Sequence, residues 1–286
     1  MIIKFLLLLM LPLVGMGQTN ANGEMPLGGN TSSEKQPLEI KRNTQYNLEE
    51  IKVRWKKAAL ENCTGIPCVT TPVFTCGTST ISDIDNNAYN TVLIGTQCWT
   101  KSNLKVTKYN DGSLIGDSTN STWGTAMIGA RTEYLGSVPL SGYLGTYGYL
   151  YNWYAATDSR KLCPDGWHVP TDAEWTIMIQ ALDPSQVENN VSGIQSTTAG
   201  TLMKENSMLW STPGTNTSGF SALPGGYRHQ TGSFNSIGTN ALFWCATANS
   251  TFPGKAWSRY LYNNGQLDRG TGDLYSFGAS VRCLRD

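Results

Sequence analysis

Apolar and polar residues change period along this chain, and the sharpest change follows Pro170. Trp175, Ile177, Met178 and Leu182 recur there as a buried stripe, which predicts a helix opening at Thr171. Thr171 can accept from the free N–H groups of the first turn while Glu174 reaches back to the Thr171 N–H, a capping box. Val169 and Trp175 are placed to fix how the chain approaches that helix, and Asp165-Gly166 makes the turn that delivers Trp167 into a strand-like run. Residues 46–62 carry Leu48, Ile51, Trp55, Ala58 and Ala59 at helical spacing against Glu49, Lys52, Lys56 and Lys57. This amphipathic helix either packs on the domain or offers its Trp55 stripe to a docking partner or a second copy.

Elsewhere the pattern shortens. Ile81 to Ile84 and Ala88 to Ile94 flank an Asp85-Asn86-Asn87 turn and predict a hairpin. Tyr147 to Ala156, with Leu150, Trp153 and Tyr154, predicts a short buried helix, while 112–146 and 183–200 read as loops. Phe220 to Arg228, Leu242 to Thr247, Ala256 to Leu261 and Phe277 to Leu284 each read as strands, with a tight turn at Asn264-Gly265. Two central helices, long loops and a run of late strands predict an α+β fold with a small, twisted, mostly antiparallel sheet.

The first residues have another logic. A charged start, an apolar run from Phe5 to Val14 and small residues at Gly15 and Gly17 predict a signal peptide over 1–17. The run is short of the roughly 20 apolar residues that span a bilayer, so no membrane span is expected. Residues 18–45 read as a disordered linker and 63–76 as a Cys- and Pro-containing linker, which leaves 77–286 as the folded domain. Export, to the medium or the cell surface, makes the seven cysteines candidates for disulfides, and six of seven can pair in about 105 ways. Cys63 and Cys68 have no second pair and no neighbouring His, so no metal and no cofactor is expected.

Formal charge is zero, with 21 basic and 21 acidic residues, which argues against nucleic acid as a partner. No Gly-x-Ser-x-Gly elbow, phosphate-binding Gly loop or His-Glu-x-x-His helix is present, and the reading is of a protein that is not an enzyme. His168 beside Trp167 reads as structural. Asp172 and Glu174 suit a helix start better than a glycosidase pair.

From about Thr80 onward the chain resembles the Fibrobacter succinogenes major paralogous domain, a family of secreted bacterial proteins without an assigned activity. The resemblance rests on Val92-Leu93-Ile94-Gly95-Thr96-Gln97-Cys98-Trp99, Lys108 to Gly112, Tyr147 to Tyr154, Cys163 to Trp175, Gly219 to Arg228 and Ser280-Val281-Arg282-Cys283. Cys245 departs from it, since the family usually carries paired Trp followed by Ser there. More remotely, Val169 to Trp175 and Phe277 to Arg282 look like the two ends of the formylglycine-generating enzyme domain, which implies a C-type-lectin-like fold with its ends brought together. The redox cysteines of that enzyme do not carry over, because the matching region offers only Cys245.

The family likeness, the predicted export and the position of Cys163 before a tight turn together imply a Cys163–Cys283 disulfide. Cys76 with Cys98 and Cys63 with Cys68 are the further pairs, and Cys245 is left as a buried, unreactive thiol. A calcium lectin would need Glu-Pro-Asn or Gln-Pro-Asp and Trp-Asn-Asp triplets, and none occurs. Asp268, Asp273 and Asn264 read as turn residues. Trp244 and Trp257 suit core packing, and Arg228 and Arg259 face a groove or pair with carboxylates. The candidate binding residues are Tyr227, Arg228, Arg259, Tyr260 and Tyr262, in a secreted or surface-displayed module for a saccharide or protein ligand. A formylglycine-derived enzyme with changed chemistry and a purely structural surface protein are the rival readings.

Overall fold

The predicted capping box is present. In the computed structural model Thr171 Oγ1 accepts from the Glu174 N–H at 3.3 Å, and a Glu174 carboxylate oxygen accepts from the Thr171 N–H at 2.7 Å. The helix runs Asp172–Leu182 and buries Trp175, Met178 and Ile179. Ile177 corrects the expected stripe. It is 48% exposed, because two steps of about 100° past Trp175 carry it to the outer side. His168 bridges this helix start to the chain's last residues, with Nδ1 2.6 Å from Asp286 and Nε2 3.0 Å from Glu174, as suits a structural residue.

The structure describes residues 73–117, 122–125, 127–135, 142–185, 192–270 and 273–286. The expected signal peptide, the linker 18–45, the helix 46–62 and the Cys63–Cys68 pair lie outside these. No helix among the described residues is long and apolar enough to cross a membrane.

The architecture is α+β and mostly sheet. In chain order the strands are β1 Thr80–Ser82, β2 Ala88–Ile94, β3 Gln97–Thr100, β4 Gly116–Asp117, β5 Ala130–Thr132, β6 Leu150–Tyr151, β7 Trp167–His168, β8 Gly193–Ser196, β9 Gly225–Arg228, β10 Phe234–Ile237, β11 Asn240–Ala248, β12 Lys255–Tyr262, β13 Leu267–Arg269, β14 Asp273–Leu274 and β15 Leu284–Arg285. The helices are α1 Tyr143–Tyr147, α2 Trp153–Ala156, α3 Asp172–Leu182 and α4 Ala199–Met203. One sheet has the order β1-β2-β3-β15-β7, a second follows β10-β9-β11-β12-β13-β8 with β14 also on β12, and a third is β4-β5-β6. Pairing is antiparallel except at β9–β11 and β4–β5.

Two expected elements are corrected. Tyr147 to Ala156 is not one helix. Gly148 interrupts it with φ 75°, and a Cβ there would lie 2.5 Å from the Leu104 carbonyl oxygen, so the chain turns at the one residue type that fits. It then forms β6 and restarts as α2, capped by the Asn152 side chain. Nor is Phe277 to Leu284 one strand. Its amides pass from partner to partner, Gly278 to Arg228, Ala279 to Tyr151 and Ser280 to Leu242, while the Val281 carbonyl accepts from Leu104. Only Leu284–Arg285 is regular strand, and it joins β3 to β7. The segment is a connector threaded through the core.

Arg282 shows what that path requires. It is fully buried, and with no ion-pair partner among the described residues the guanidinium donates to Asn103 Oδ1 and to the carbonyls of Thr100, Phe220 and Ser221. Burial pulls its pKa down to about 9. The bonds replace lost hydration, and the guanidinium lies over Phe220 and Phe243, which form an aromatic cluster with Trp99 and Trp175 at centroid spacings of 4.9–5.9 Å.

Cys163 is bonded to Cys283, as the resemblance implied, and Cys76 to Cys98, the second expected pair. Cys245 is the free cysteine among the described residues, and it is fully buried. Burial pushes its thiol up to about 12, against the pull of Arg259, whose Nη1 lies 3.6 Å from the sulfur. The thiolate that alkylating reagents attack is therefore scarce at neutral pH. We expect Cys245 to resist iodoacetamide in the native protein and to react on unfolding in urea. Fast labelling without denaturant, read by mass spectrometry, would contradict this.

Candidate binding site

Strand alternation sorts the five candidate residues. On β12, Ala256, Ser258, Tyr260 and Tyr262 share one face, and Trp257, Arg259 and Leu261 share the other. Arg259 thus points away from the two tyrosines and is buried. Its Nη1 meets the Asp172 carboxylate at 2.6 Å, and Arg269 pairs with the same carboxylate while lying 3.7 Å over the Trp257 ring. Arg228 follows Tyr227 on β9 and is likewise buried, with its guanidinium 4.4 Å from the Trp123 ring and 4.9 Å from that of Phe234. Both arginines are interior, so neither offers its guanidinium to an open groove. For Arg259 the carboxylate pairing left open by the sequence is the one found.

Tyr227, Tyr260 and Tyr262 are brought together, half-buried, on the face that Arg259 leaves. Tyr260 and Tyr262 are near-parallel with centroids 6.0 Å apart, and Tyr227 lies nearly parallel to Phe277 at 6.1 Å. The two pairs meet at Tyr227 and Tyr260, 6.2 Å apart and 78° between planes. His229 extends the row, its ring 4.9 Å from Phe277. The result is a corner of two aromatic walls. Trp244, as expected, is core, its Nε1 donating to the Tyr151 carbonyl.

Asp273 sits at this corner rather than in a free turn. β14 pairs with β12 so that Asp273 faces Ala256, and its oxygens accept from Ser258 Oγ at 2.5 Å and from the Tyr260 hydroxyl at 3.0 Å. Asp268 lies across from Tyr260 on β13, on the same face. Burial raises the Asp273 carboxyl above the usual 3.8, against the two hydroxyl bonds and the more distant Lys255 and His229. Phe277, His229 and Asp273 were missed as site residues. The period-2 run of β12 exposed the Tyr face, but nothing local places residue 273 or 277 against it.

The raised carboxyl has a consequence for pH. A group whose folded value is raised adds stability that is fully present below the ordinary 3.8 and is lost as pH rises through the raised value. Asp273→Asn should therefore remain folded at neutral pH and lose this component of the pH dependence. Urea midpoints of both proteins at about pH 4 and about pH 7 measure it. A variant that unfolds at neutral pH would show the carboxylate to be structurally required.

No group of three or more His, Cys, Asp or Glu among the described residues is placed to hold a metal ion.

The model of the Fibrobacter succinogenes major domain matches residues 92–285, well over half of the chain. The chain belongs to that family. The match takes in all the residues of the aromatic corner, from Tyr227 to Phe277, and both ends of the Cys163–Cys283 disulfide. No curated protein and no solved structure matches the chain.

Proposed function

We propose that this member of the Fibrobacter succinogenes major domain family is an exported binding module that takes a saccharide at the corner formed by Tyr227, Tyr260, Tyr262 and Phe277. The observation that carries the reading is four half-buried rings from three separate segments, meeting on one face with a carboxylate among them. Ring faces suit the C–H faces of sugars, and the Asp273 and tyrosine oxygens suit their hydroxyls. Two disulfides fit an oxidising compartment. The fold is read as C-type-lectin-like, which the pairing of β15 with β3 and β7 supports by drawing the ends of the domain into one sheet. Against formylglycine-type chemistry stands the burial of Cys245, with no second free thiol among the described residues.

A glycan array with the secreted protein tests the reading. A saccharide hit should be weakened about tenfold, roughly 1.4 kcal/mol, by Tyr262→Ala or Tyr227→Ala. A silent array, or hits that both variants keep unchanged, would refute it.

A further inference from the structure

The charge at the aromatic corner is unbalanced. Asp273 and Asp268 share the Tyr260 face, and among the described residues neither takes part in an ion pair. The nearby basic side chains act on Asp273 only at a distance and make their direct contacts with other groups. The Lys255 ammonium lies 5.4 Å over the Phe252 ring, and His229 Nδ1 is 2.9 Å from the Thr231 hydroxyl. Asp268 accepts from Gln266 Nε2, and Asp273 only from two neutral hydroxyls, so each carboxylate oxygen of Asp273 keeps acceptor capacity. Two ring walls at 78° with a carboxylate in their corner favour a positive guest, since ring faces and carboxylate attract the same sign.

Resting on the saccharide reading above, we infer that the ligand carries an ammonium group, as an unacetylated amino sugar does, and that this group sits between Tyr227, Tyr260 and Asp273. The sugar rings continue over Tyr262 on one side and Phe277 on the other. The ammonium supplies the direct ion-pair partner that Asp273 lacks among the described residues. Acetylation removes both the charge and the donors that reach the carboxylate, so the site discriminates amino from acetamido sugars.

Isothermal titration of the full protein in mildly acidic buffer tests this with three tetramers: β-1,4-linked glucosamine, its N-acetylated counterpart and a neutral glucan. The glucosamine tetramer should bind at least tenfold more tightly than the acetylated one. Asp273→Asn should abolish that preference, bringing the glucosamine tetramer to the affinity of the acetylated one. Tyr227→Leu, which removes a ring but keeps an apolar side chain, should weaken the glucosamine tetramer as well. Equal binding of all three tetramers, unchanged by Asp273→Asn, would overturn the ammonium site and leave the saccharide reading standing. If no tetramer binds, the saccharide reading fails, and tetramethylammonium judges the cation site alone. Asp273-dependent chemical-shift changes on Tyr227 and Tyr260 would uphold it, and their absence would overturn it.

Discussion

Asp172→Ala is expected to destabilise the domain by about 3–5 kcal/mol, because it strips the counter-charge from two buried guanidinium groups at once. The Arg259 side chain is 0% exposed and that of Arg269 only 7%, and both donate to the Asp172 carboxylate. Arg259 also donates to the Asp172 carbonyl at 3.0 Å, so the pair ties β12 to the first turn of α3. The cluster is already lean in acceptors, since Arg259 Nε and Arg269 Nη1 have no hydrogen-bond partner. Removing the carboxylate leaves like charges facing each other with nowhere to recruit an anion. The loss is a large share of the roughly 5–15 kcal/mol by which whole domains are stable. Urea denaturation measures it, and adding Arg269→Met to Asp172→Ala should recover part of the loss by removing one orphaned charge. A cost below about 1 kcal/mol would mean that solvent reaches the cluster and screens it.

How much of this was legible in the sequence depends on how local the cause is. The Thr171–Glu174 box, the β1–β2 hairpin and the alternation of β12 are set within a few residues, and each is found where its pattern predicts it. Gly148 was legible only as a residue type. What makes it necessary is the Leu104 carbonyl, which lies 44 positions away. The connector from Phe277 to Leu284 has the apolar, β-prone composition of a strand, yet it bonds in turn to β9, β6 and β11. Composition reports burial and extension, and it is silent on whether one neighbour or several supply the partners.

The site divides along the same line. Tyr260 and Tyr262 are candidates by their aromatic character, and period 2 puts both on one face. Arg228 and Arg259 were chosen for charge alone, and the same period turns Arg259 inward, where Asp172 holds it. Asp273 was set aside as a turn residue. Its role comes from the pairing of β14 with β12, a long-range fact that no short window contains.

The Cys163–Cys283 bond should be the strongest single staple in the domain. It closes a separation of 120 residues, for which the chain-entropy account gives about 4–5 kcal/mol, against about 3 kcal/mol for the separation of 22 closed by Cys76–Cys98. Position adds to length. Cys163 precedes the turn into β7, and Cys283 lies on the core connector, where its N–H donates to Thr100 Oγ1 and its carbonyl accepts from the Thr100 N–H. Both half-cystines are buried, at 1% and 0% exposure, so the bond is shielded from reductants while the domain stays folded. Replacing both cysteines by alanine, which avoids a stray thiol, should lower Tm by roughly 10–15 °C, and replacing Cys76 and Cys98 should cost less. Calorimetry of the two double variants ranks them. A Cys163→Ala/Cys283→Ala protein as stable as the parent would show that the connector is held by its hydrogen bonds and Arg282 alone. A non-reduced digest that links Cys245 to Cys163 or Cys283 would overturn the pairing itself.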